Sequence, residues 1–250
     1  MRYAVELAYD GRLYAGWQRQ PGRKTVQGDI EDVLSLLEGA RVPCIGAGRT
    51  DKGVHARGQV ASFDLTRKWE PDRLLRAIDK NLPPEVGVVR AAAVGETFNA
   101  RHDAIWREYV YFLWTAPYCF PQVRPFVWRV QADWSSPDLA LACKALEGVH
   151  DFGLFCPQGE RPVNAVRRVL RVKLHHRREW TAFRIRATGF LFHMVRNLVG
   201  DLNRVAGGRL SLGAFLNRLS GLQEEGRTQE MAPSAGLFLW GIGYAPSPWG

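Results

Sequence analysis

The stretch "GAGRTDKGVHARGQ", residues 46–59, combines small residues with side chains that can do chemistry. Its one carboxylate, Asp51, stands between the cations Arg49 and Lys52. Nearby positive charge favours the ionised form of a carboxylate, which can then act as a nucleophile or stabilise a developing positive charge. The alternative is that Asp51 only caps a turn or pairs with Arg49. The residue types alone leave both interpretations open.

Several familiar site patterns do not fit this chain. The glycines of residues 46–59 match neither the dinucleotide loop GxGxxG nor the phosphate loop GxxxxGK followed by Ser or Thr, and a strand is predicted next instead of a helix. No GxSxG elbow is present, and Asp51 has no second carboxylate beside it for paired-carboxylate hydrolysis. We expect no metal site, because the cysteines are too scattered for a zinc pair; they are Cys44, Cys119, Cys143 and Cys156.

The composition favours an anionic partner. The 250 residues carry 34 lysines and arginines against 25 acids, a net charge of +9. Nucleic acid is the leading candidate, and a surface that is merely basic and soluble is the alternative. The N-terminus "MRYAVELAYDG" lacks the apolar core of a signal peptide, and no apolar run approaches the roughly eighteen residues of a membrane span. We therefore expect a cytoplasmic protein with reduced thiols and no membrane contact.

Hydrophobic periodicity predicts two halves with a similar order of elements. The first half reads as a strand at 2–9, a helix at 26–38 capped by Thr25, a strand at 59–65, a helix from Pro71 and a strand at 86–94. The second half reads as a strand at 107–114, a helix at 136–146, strands at 167–177 and 181–189, a helix around 190–206 and a last strand at 236–245.

This repeat predicts an α+β fold of two related lobes, residues 1–104 and 105–250. We expect antiparallel sheets that join into one larger sheet, with helices on one face and a basic cleft at the seam.

Five ordered blocks of the chain resemble the tRNA pseudouridine synthases of the TruA type. They are "YDGRLYAGWQRQPGRKTVQGDIE", "GRTDKGVHARGQV", "FNARHDAIWREYVYFLW", "GFLFHMVRNLVGDL" and "APSAGLFLWGIGYAP". The resemblance spans nearly the whole sequence. It implies an isomerase that needs no cofactor, detaches uracil from its ribose, turns it and rejoins it through carbon 5.

The resemblance also implies a substrate and an assembly. The substrate would be uridine in the anticodon stem and loop of tRNA, around positions 38, 39 and 40, and the enzyme would be a homodimer. Two alternatives remain open on the same scaffold. One is a pseudouridine synthase acting at another RNA site, and the other is a non-catalytic RNA-binding protein.

Residue roles follow from the matched motifs. Asp51 would be the catalytic nucleophile, attacking either the base or the anomeric carbon, and Arg49 would contact RNA and help extrude the base. Tyr109 would stack on the base, Arg196 would pair with Asp51, and Leu237 would line the base pocket. The resemblance also leaves a set of supporting residues, namely His55, Gln59, His102, His193 and Asn197.

Three further expectations concern loops and strands. The basic segments at 12–24 and 167–178 are candidates for contacts with RNA phosphates, the second with a solvated outer strand face as its alternative. The small residues of 46–59 would let a flipped nucleotide approach the backbone. The block "HDFGLFCPQGE" departs from the family pattern at Gly153 and Cys156, which puts an RNA-facing loop in doubt.

Overall fold

The computed structural model describes residues 1–157, 159–222 and 230–249. These residues form five α-helices and ten β-strands, which confirms the predicted α+β class. The chain divides into two compact units, Met1–Arg107 with Phe238–Gly250, and Glu108–Leu237. Within the described ranges no helix is both long and apolar enough to cross a bilayer.

The elements have the following bounds. The strands are β1 (Arg2–Tyr9), β2 (Cys44–Gly46), β3 (His55–Asp64), β4 (Val86–Val94), β5 (Trp106–Trp114), β6 (Trp128–Arg129), β7 (Gly148–Asp151), β8 (Val166–His176), β9 (Trp180–Ala187) and β10 (Leu237–Gly243). The helices are α1 (Val26–Glu38), α2 (Pro71–Asn81), α3 (Pro137–Ala145), α4 (Met194–Ala206) and α5 (Leu212–Leu219).

The first unit has the strand order β4, β1, β3, β10, with β2 paired to β3. Strand β1 is antiparallel to both β3 and β4. Strand β10 instead runs parallel to β3, with Phe238 opposite His55 and Leu239 opposite Ala56. The sheet is therefore mixed, whereas the sequence predicted antiparallel pairing throughout.

The units differ from the predicted lobes at the end of the chain. The boundary after Arg107 lies close to the predicted boundary after residue 104. Residues 238–250, however, belong to the first unit and not to the second lobe, because β10 pairs with β3. The periodicity of a strand does not reveal its pairing partner. For this reason β10 was predicted to belong to the same lobe as the elements that precede it in the chain.

Helix α1 forms where the sequence predicts it. The Thr25 side chain accepts a hydrogen bond from the Gly28 N–H at the N-terminus, and Gly39 ends the helix in the left-handed region with φ of 76°. Its buried residues include Val26, Ile30 and Leu34, which share one helical face. Capping and spacing thus fix this helix locally.

Helix α1 also anchors the short strand β2. The Gln27 side chain donates to the Cys44 carbonyl at 3.0 Å, and the Glu31 carboxylate accepts from the Cys44 N–H at 3.1 Å. A third bond, from Gln27 Nε2 to Glu31 Oε1 at 2.9 Å, joins the two side chains. Because β2 leads directly into residues 47–54, this buried network fixes one end of the stretch that carries Asp51.

Strand β3 begins at His55, inside the predicted motif and earlier than the predicted start at residue 59. All its residues except Arg57 and Asp64 are buried. The sequence predicted alternating burial, but residues of both parities are buried, so both faces of this strand are covered. β3 therefore provides a rigid base at the other end of the stretch.

The second unit has the strand order β5, β9, β8, β7, and β6 pairs with β5 in parallel. Helix α4 begins at Met194, later than predicted, after His193 in the left-handed region with φ of 59°. The sequence prediction missed α5, although Ser211 caps it by accepting from the Ala214 N–H. It also missed β2, β6 and β7, which are too short for a periodic signal.

A buried ion pair joins α4 to α5. The Arg218 guanidinium donates to the Asp201 carboxylate, and their side chains are 1% and 0% exposed. Arg204, one turn along α4, lies 3.6 Å from the other Asp201 oxygen. Buried charges of this kind require their partners, so the pair fixes the position of α4, which carries Arg196.

The divergent block after β7 packs into the second unit. A single 3₁₀ turn, Gly153–Phe155, buries Leu154 and Phe155, and Cys156 is buried directly after it. The Phe155 carbonyl accepts a hydrogen bond from Asn197 Nδ2 at 2.8 Å. A Cβ on Gly153 would meet Arg161 Nε at 2.5 Å, so this glycine packs against Arg161, while Asn197 joins the turn to α4. Gln158, in the same block, lies outside the described residues.

Candidate active site

Asp51 lies in the loop between β2 and β3, residues 47–54, which we call the RTD loop. A tight turn closes the loop, with Gly53 at φ of 79° and the Val54 N–H donated to the Asp51 carbonyl at 3.1 Å. Arg49 is exposed, Thr50 is buried and Asp51 is half-buried. The loop therefore presents Arg49 and Asp51 outward and turns Thr50 inward.

The backbone of the RTD loop is tied to three other segments. The Trp17 N–H donates to the Thr50 carbonyl at 3.0 Å, and the Ala47 N–H donates to the Val60 carbonyl at 2.8 Å. Arg107 Nη2 donates to the Ala47 carbonyl at 3.0 Å. Nothing in the spacing of the sequence relates residue 17 to residue 50, so the contact of Trp17 with Thr50 was not predicted.

Glycines let the first loop, residues 10–25 between β1 and α1, lie against the RTD loop. Gly16 has φ of 114°, and a Cβ there would meet the Thr50 carbonyl oxygen at 2.7 Å. A Cβ on Gly46 would meet the Trp17 indole at 2.4 Å. The close neighbour at Gly46 is therefore protein, which corrects the expectation that the small residue there makes room for a nucleotide.

His55 joins the start of β3 to the first loop. Its Nδ1 accepts the Gly11 N–H at 3.2 Å and lies 3.3 Å from Asp10 Oδ1. Its ring stacks on Phe238 with centroids 4.6 Å apart. His55 is fully buried, so its role is to hold these segments together. His102, also predicted as a supporting residue, is exposed.

In the second unit, Tyr109 and Tyr111 follow each other on one side of β5. Tyr109 packs edge-to-face against Phe190, with centroids 5.0 Å apart, and is 8% exposed. Tyr111 is fully buried and donates its hydroxyl to the Pro233 carbonyl at 2.7 Å. Burial raises the pKa of Tyr111, and the charge of Arg196 opposes that rise. Tyr111 is therefore a neutral core residue, and Tyr109 is the more accessible of the two.

Arg196 lies on α4 and is bonded to the segment that leads into β10. Its Nε donates to the Ala232 carbonyl at 2.8 Å, and its own carbonyl accepts the Ala232 N–H at 3.1 Å. Gly236 packs so closely on Tyr111 that a Cβ would meet the ring at 2.6 Å. Leu237, the next residue, is buried. Residues 232–237 are thus fixed against both Arg196 and Tyr111.

The predicted site residues fall into two groups. Arg49 and Asp51 share the RTD loop in the first unit, and Tyr109, Arg196 and Leu237 belong to the second unit. The pairing of Arg196 with Asp51 and the contact of Leu237 with a base stay predictions.

The RTD loop offers one half-buried carboxylate beside an exposed guanidinium. Such a carboxylate is reachable by a bound substrate and suited to nucleophilic attack. Among the described residues, no group of three or more His, Cys, Asp or Glu side chains is placed to hold a metal ion.

One face of the β8 and β9 pair is cationic. Arg171 lies directly opposite Arg186, and Lys173 directly opposite Arg184. We call these four residues the cationic strand face. Glu108 on β5 accepts hydrogen bonds from Arg184 and Arg186, while Arg171 and Lys173 are exposed. Directly opposed like charges destabilise a sheet, so this arrangement suits a polyanionic partner.

The other predicted basic segment, residues 12–24, is more balanced than its composition indicates. Arg12 pairs with Asp10 at 2.6 Å, and Arg19 lies 2.9 Å from Asp32. Lys24 lies over the Tyr14 ring, 4.9 Å from its centroid. Surface pairs of this kind are weak, so these cations can still exchange their partners for phosphates.

The comparisons with known proteins identify the family. A family model described as tRNA pseudouridine synthase matches residues 7–103 and 142–245. The tRNA pseudouridine synthase A of Shouchella clausii is 36% identical over 244 residues, which cover 97% of this chain and 93% of that protein. That of Methylacidiphilum infernorum is 38% identical over 245 residues, which cover 98% and 96%. The chain therefore belongs to the tRNA pseudouridine synthase family.

This membership confirms the resemblance to the TruA type. The tRNA pseudouridine synthase A of Cereibacter sphaeroides strain ATCC 17025 is 38% identical over 253 residues, 99% of this chain and 98% of that protein. The protein is thus an isomerase that forms pseudouridine in tRNA.

We expect Gly16→Ala to disturb the RTD loop. The substitution combines an unfavourable φ with a collision against the Thr50 carbonyl, so the free energy of unfolding should fall by about 2–5 kcal/mol. Urea denaturation measures this loss, and pseudouridine formation should fall with it because Thr50 adjoins Asp51.

The matched control is Gly39→Ala, which has φ of 76° but no heavy atom within 4 Å of the added Cβ. We expect it to cost about 1 kcal/mol and to leave turnover unchanged. Equal losses of stability in the two variants would contradict the close approach of Gly16 to Thr50.

Proposed function

We propose that Asp51 is the nucleophile with which this enzyme isomerises uridine to pseudouridine, and that the target lies in the anticodon stem and loop of tRNA, around positions 38, 39 and 40. The observation that carries the proposal is the placement of Asp51. It is half-buried in a loop held by backbone hydrogen bonds to other segments, beside an exposed arginine. The matched RTD motif of the family supports the same assignment.

The proposed reaction conserves every atom of the nucleotide. The Asp51 carboxylate forms a bond to the base or to the anomeric carbon, the bond between nitrogen 1 and the sugar breaks, and the base turns. Carbon 5 then bonds to the anomeric carbon and loses its proton, the carboxylate is released, and nitrogen 1 gains a proton. Because the product is an isomer, the reaction requires no group donor and no oxidant.

The remaining predicted roles complete the proposal. Tyr109 stacks on the uracil ring, and Leu237 lines the base pocket. Arg196 pairs with Asp51 and keeps the carboxylate ionised. Arg49 occupies the space of the extruded base, and its exposure in the RTD loop supports this role.

The cationic strand face is the proposed contact for tRNA phosphates. Arg171 and Lys173 are exposed on β8, and their direct neighbours on β9 are also cations. Phosphates in that position would neutralise the repulsion between opposed like charges. The apolar residues of the same strand, such as Val172 opposite Ile185, point to the other face.

We also propose that the enzyme is a homodimer and cytoplasmic. The dimer rests on the resemblance to the family, and the location rests on tRNA as the substrate.

We expect Asp51→Asn to abolish isomerisation while tRNA binding survives. The amide keeps the size of the side chain and removes its charge and nucleophilicity, so turnover should fall by about a thousand-fold or more. Release of tritium from carbon 5 of labelled uridine measures turnover, and filter binding measures the Kd for tRNA.

The matched control for Asp51→Asn is Asp72→Asn, which removes an exposed carboxylate of α2 in the same unit. It should leave turnover within about two-fold of the wild type, as expected of a surface substitution. Full turnover by the Asp51→Asn variant would refute the nucleophile assignment.

The target positions can be mapped directly. We expect carbodiimide adducts, read by reverse transcription of treated tRNA, to appear at uridines around positions 38, 39 and 40 after incubation with the wild-type enzyme and not with Asp51→Asn. Adducts confined to another part of the tRNA would contradict the proposed anticodon site and favour an enzyme with a different target.

We expect the double substitution Arg171→Gln and Lys173→Gln to weaken tRNA binding in a salt-dependent way. Removing one cation that binds a phosphate should lower the slope of log K against log salt by about one, so the double variant should lower it by about two. Filter binding between about 50 and 200 mM salt measures this slope.

The matched control is Arg73→Gln with Arg76→Gln, which removes two exposed cations from α2. We expect it to keep the wild-type slope. If both double variants lower the slope equally, the effect comes from net charge alone and the cationic strand face has no special role.

A further inference from the structure

The RTD loop has an alternating pattern of anchored and projecting residues. Gly48 and Thr50 make hydrogen bonds to side chains beneath the loop, as described below. Arg49 lies between Gly48 and Thr50, and Asp51 follows Thr50. Both Arg49 and Asp51 are more exposed than Thr50. The hydrogen bonds to Gly48 and Thr50 hold the backbone on both sides of Arg49 and directly before Asp51, so they restrict the directions in which these two side chains point.

Gln59 holds Gly48 by both of its backbone groups. Its Nε2 donates to the Gly48 carbonyl at 2.6 Å, and its Oε1 accepts from the Gly48 N–H at 3.3 Å. Oε1 also accepts from the Val60 N–H at 3.1 Å. Gln59 is fully buried on β3, where an unbonded amide would be costly. The Gln59 side chain thus bonds to both backbone groups of Gly48, as a residue of a neighbouring strand would.

Tyr9 holds Thr50 from the end of β1. The Tyr9 hydroxyl and Thr50 Oγ1 lie 2.8 Å apart, and either can donate. Burial raises the pKa of Tyr9, so its hydroxyl stays protonated and able to donate. The RTD loop is thus held from below by two ties, Gln59 to Gly48 and Tyr9 to Thr50, which we together call the loop clamp.

We infer that Tyr9 and Gln59 are positioning residues, which aim Arg49 and Asp51 by fixing Gly48 and Thr50. This inference rests on the proposed role of Asp51 as the nucleophile.

The loop clamp acts where small displacements matter most for catalysis. A shift of about 1 Å in a reacting group can lower the rate about a hundred-fold, while contacts to the rest of the substrate are kept. The Tyr9 hydroxyl is hydrogen-bonded to Thr50, the residue directly before Asp51. Removing this hydroxyl would free the loop on its buried side. The expected signature is therefore a decrease in kcat that leaves tRNA affinity nearly unchanged.

The test compares Tyr9→Phe and Gln59→Met with Tyr3→Phe. Tyr3 is also buried on β1, and its hydroxyl also takes part in hydrogen bonds, to the Trp69 N–H at 2.7 Å and the Trp69 carbonyl at 3.1 Å. Trp69 is outside the RTD loop, so Tyr3→Phe removes a comparable buried hydroxyl without touching the loop.

We expect Tyr9→Phe and Gln59→Met to lower kcat about 10- to 100-fold, with the Kd for tRNA within about three-fold of the wild type. Tyr3→Phe should keep kcat within about two-fold while shifting the unfolding midpoint as much as Tyr9→Phe does. Amide hydrogen exchange at Gly48 should become faster in Gln59→Met, which removes the acceptor of the Gly48 N–H, and stay as in the wild type in Tyr3→Phe.

A double-mutant cycle adds a second readout. Thr50→Val removes the other hydroxyl of the pair with little change in size. If Tyr9 acts on catalysis through Thr50, Tyr9→Phe with Thr50→Val should lower kcat no further than the stronger single variant. Multiplicative decreases in kcat would overturn the coupling.

The outcomes separate this inference from the proposed function. Unchanged kcat in both clamp variants, beside an inactive Asp51→Asn, would overturn the positioning role alone. Equal decreases of kcat in Tyr3→Phe and Tyr9→Phe would reduce that role to general stability. Full turnover by Asp51→Asn would instead refute the nucleophile assignment. It would also refute the inference that Tyr9 and Gln59 position a catalytic Asp51, regardless of the results for the clamp variants.

Discussion

Buried backbone groups must find hydrogen-bond partners, and this constraint shapes the RTD loop more than any other. The loop is neither helix nor strand, and apart from the turn that joins Val54 to Asp51 its backbone groups are bonded by residues outside it. The Thr50 carbonyl is bonded by the Trp17 N–H, the Gly48 backbone by Gln59, and the Ala47 carbonyl by Arg107. Each partner comes from a different part of the first unit. A loop held in this way keeps a half-buried carboxylate in place without regular secondary structure.

Much of the fold could be predicted from the sequence, wherever capping residues and hydrophobic periodicity indicate the same element. Helix α1 has its predicted bounds because Thr25 caps it and Gly39 ends it, and both act within a few residues. The pairing partner of β10 could not be predicted, because its pairing with β3 depends on contacts between residues far apart in the chain. Helix α5 was missed although Ser211 caps it, since eight residues give only a short periodic pattern.

The candidate site was predictable in part, and for a different reason. Asp51 and Arg49 were singled out by a resemblance of motifs, and not by composition or periodicity. The contacts that hold them follow no sequence rule. Trp17 reaches Thr50 only because Gly16 adopts φ of 114° and leaves room for the carbonyl. Glu108 likewise gave no signal, since its two arginine partners lie on β9, remote in the sequence.

The parallel pairing of β10 with β3 has a consequence for the order in which the protein matures. His55 and Ala56, which follow the RTD loop directly, are bordered by Phe238 and Leu239. On the ribosome the chain emerges from its N-terminus, so the segment carrying Asp51 is synthesised long before the strand that borders it. The first unit therefore cannot close its sheet until β10 has been synthesised, and a chain terminated before β10 would carry the RTD motif on a strand with an open edge.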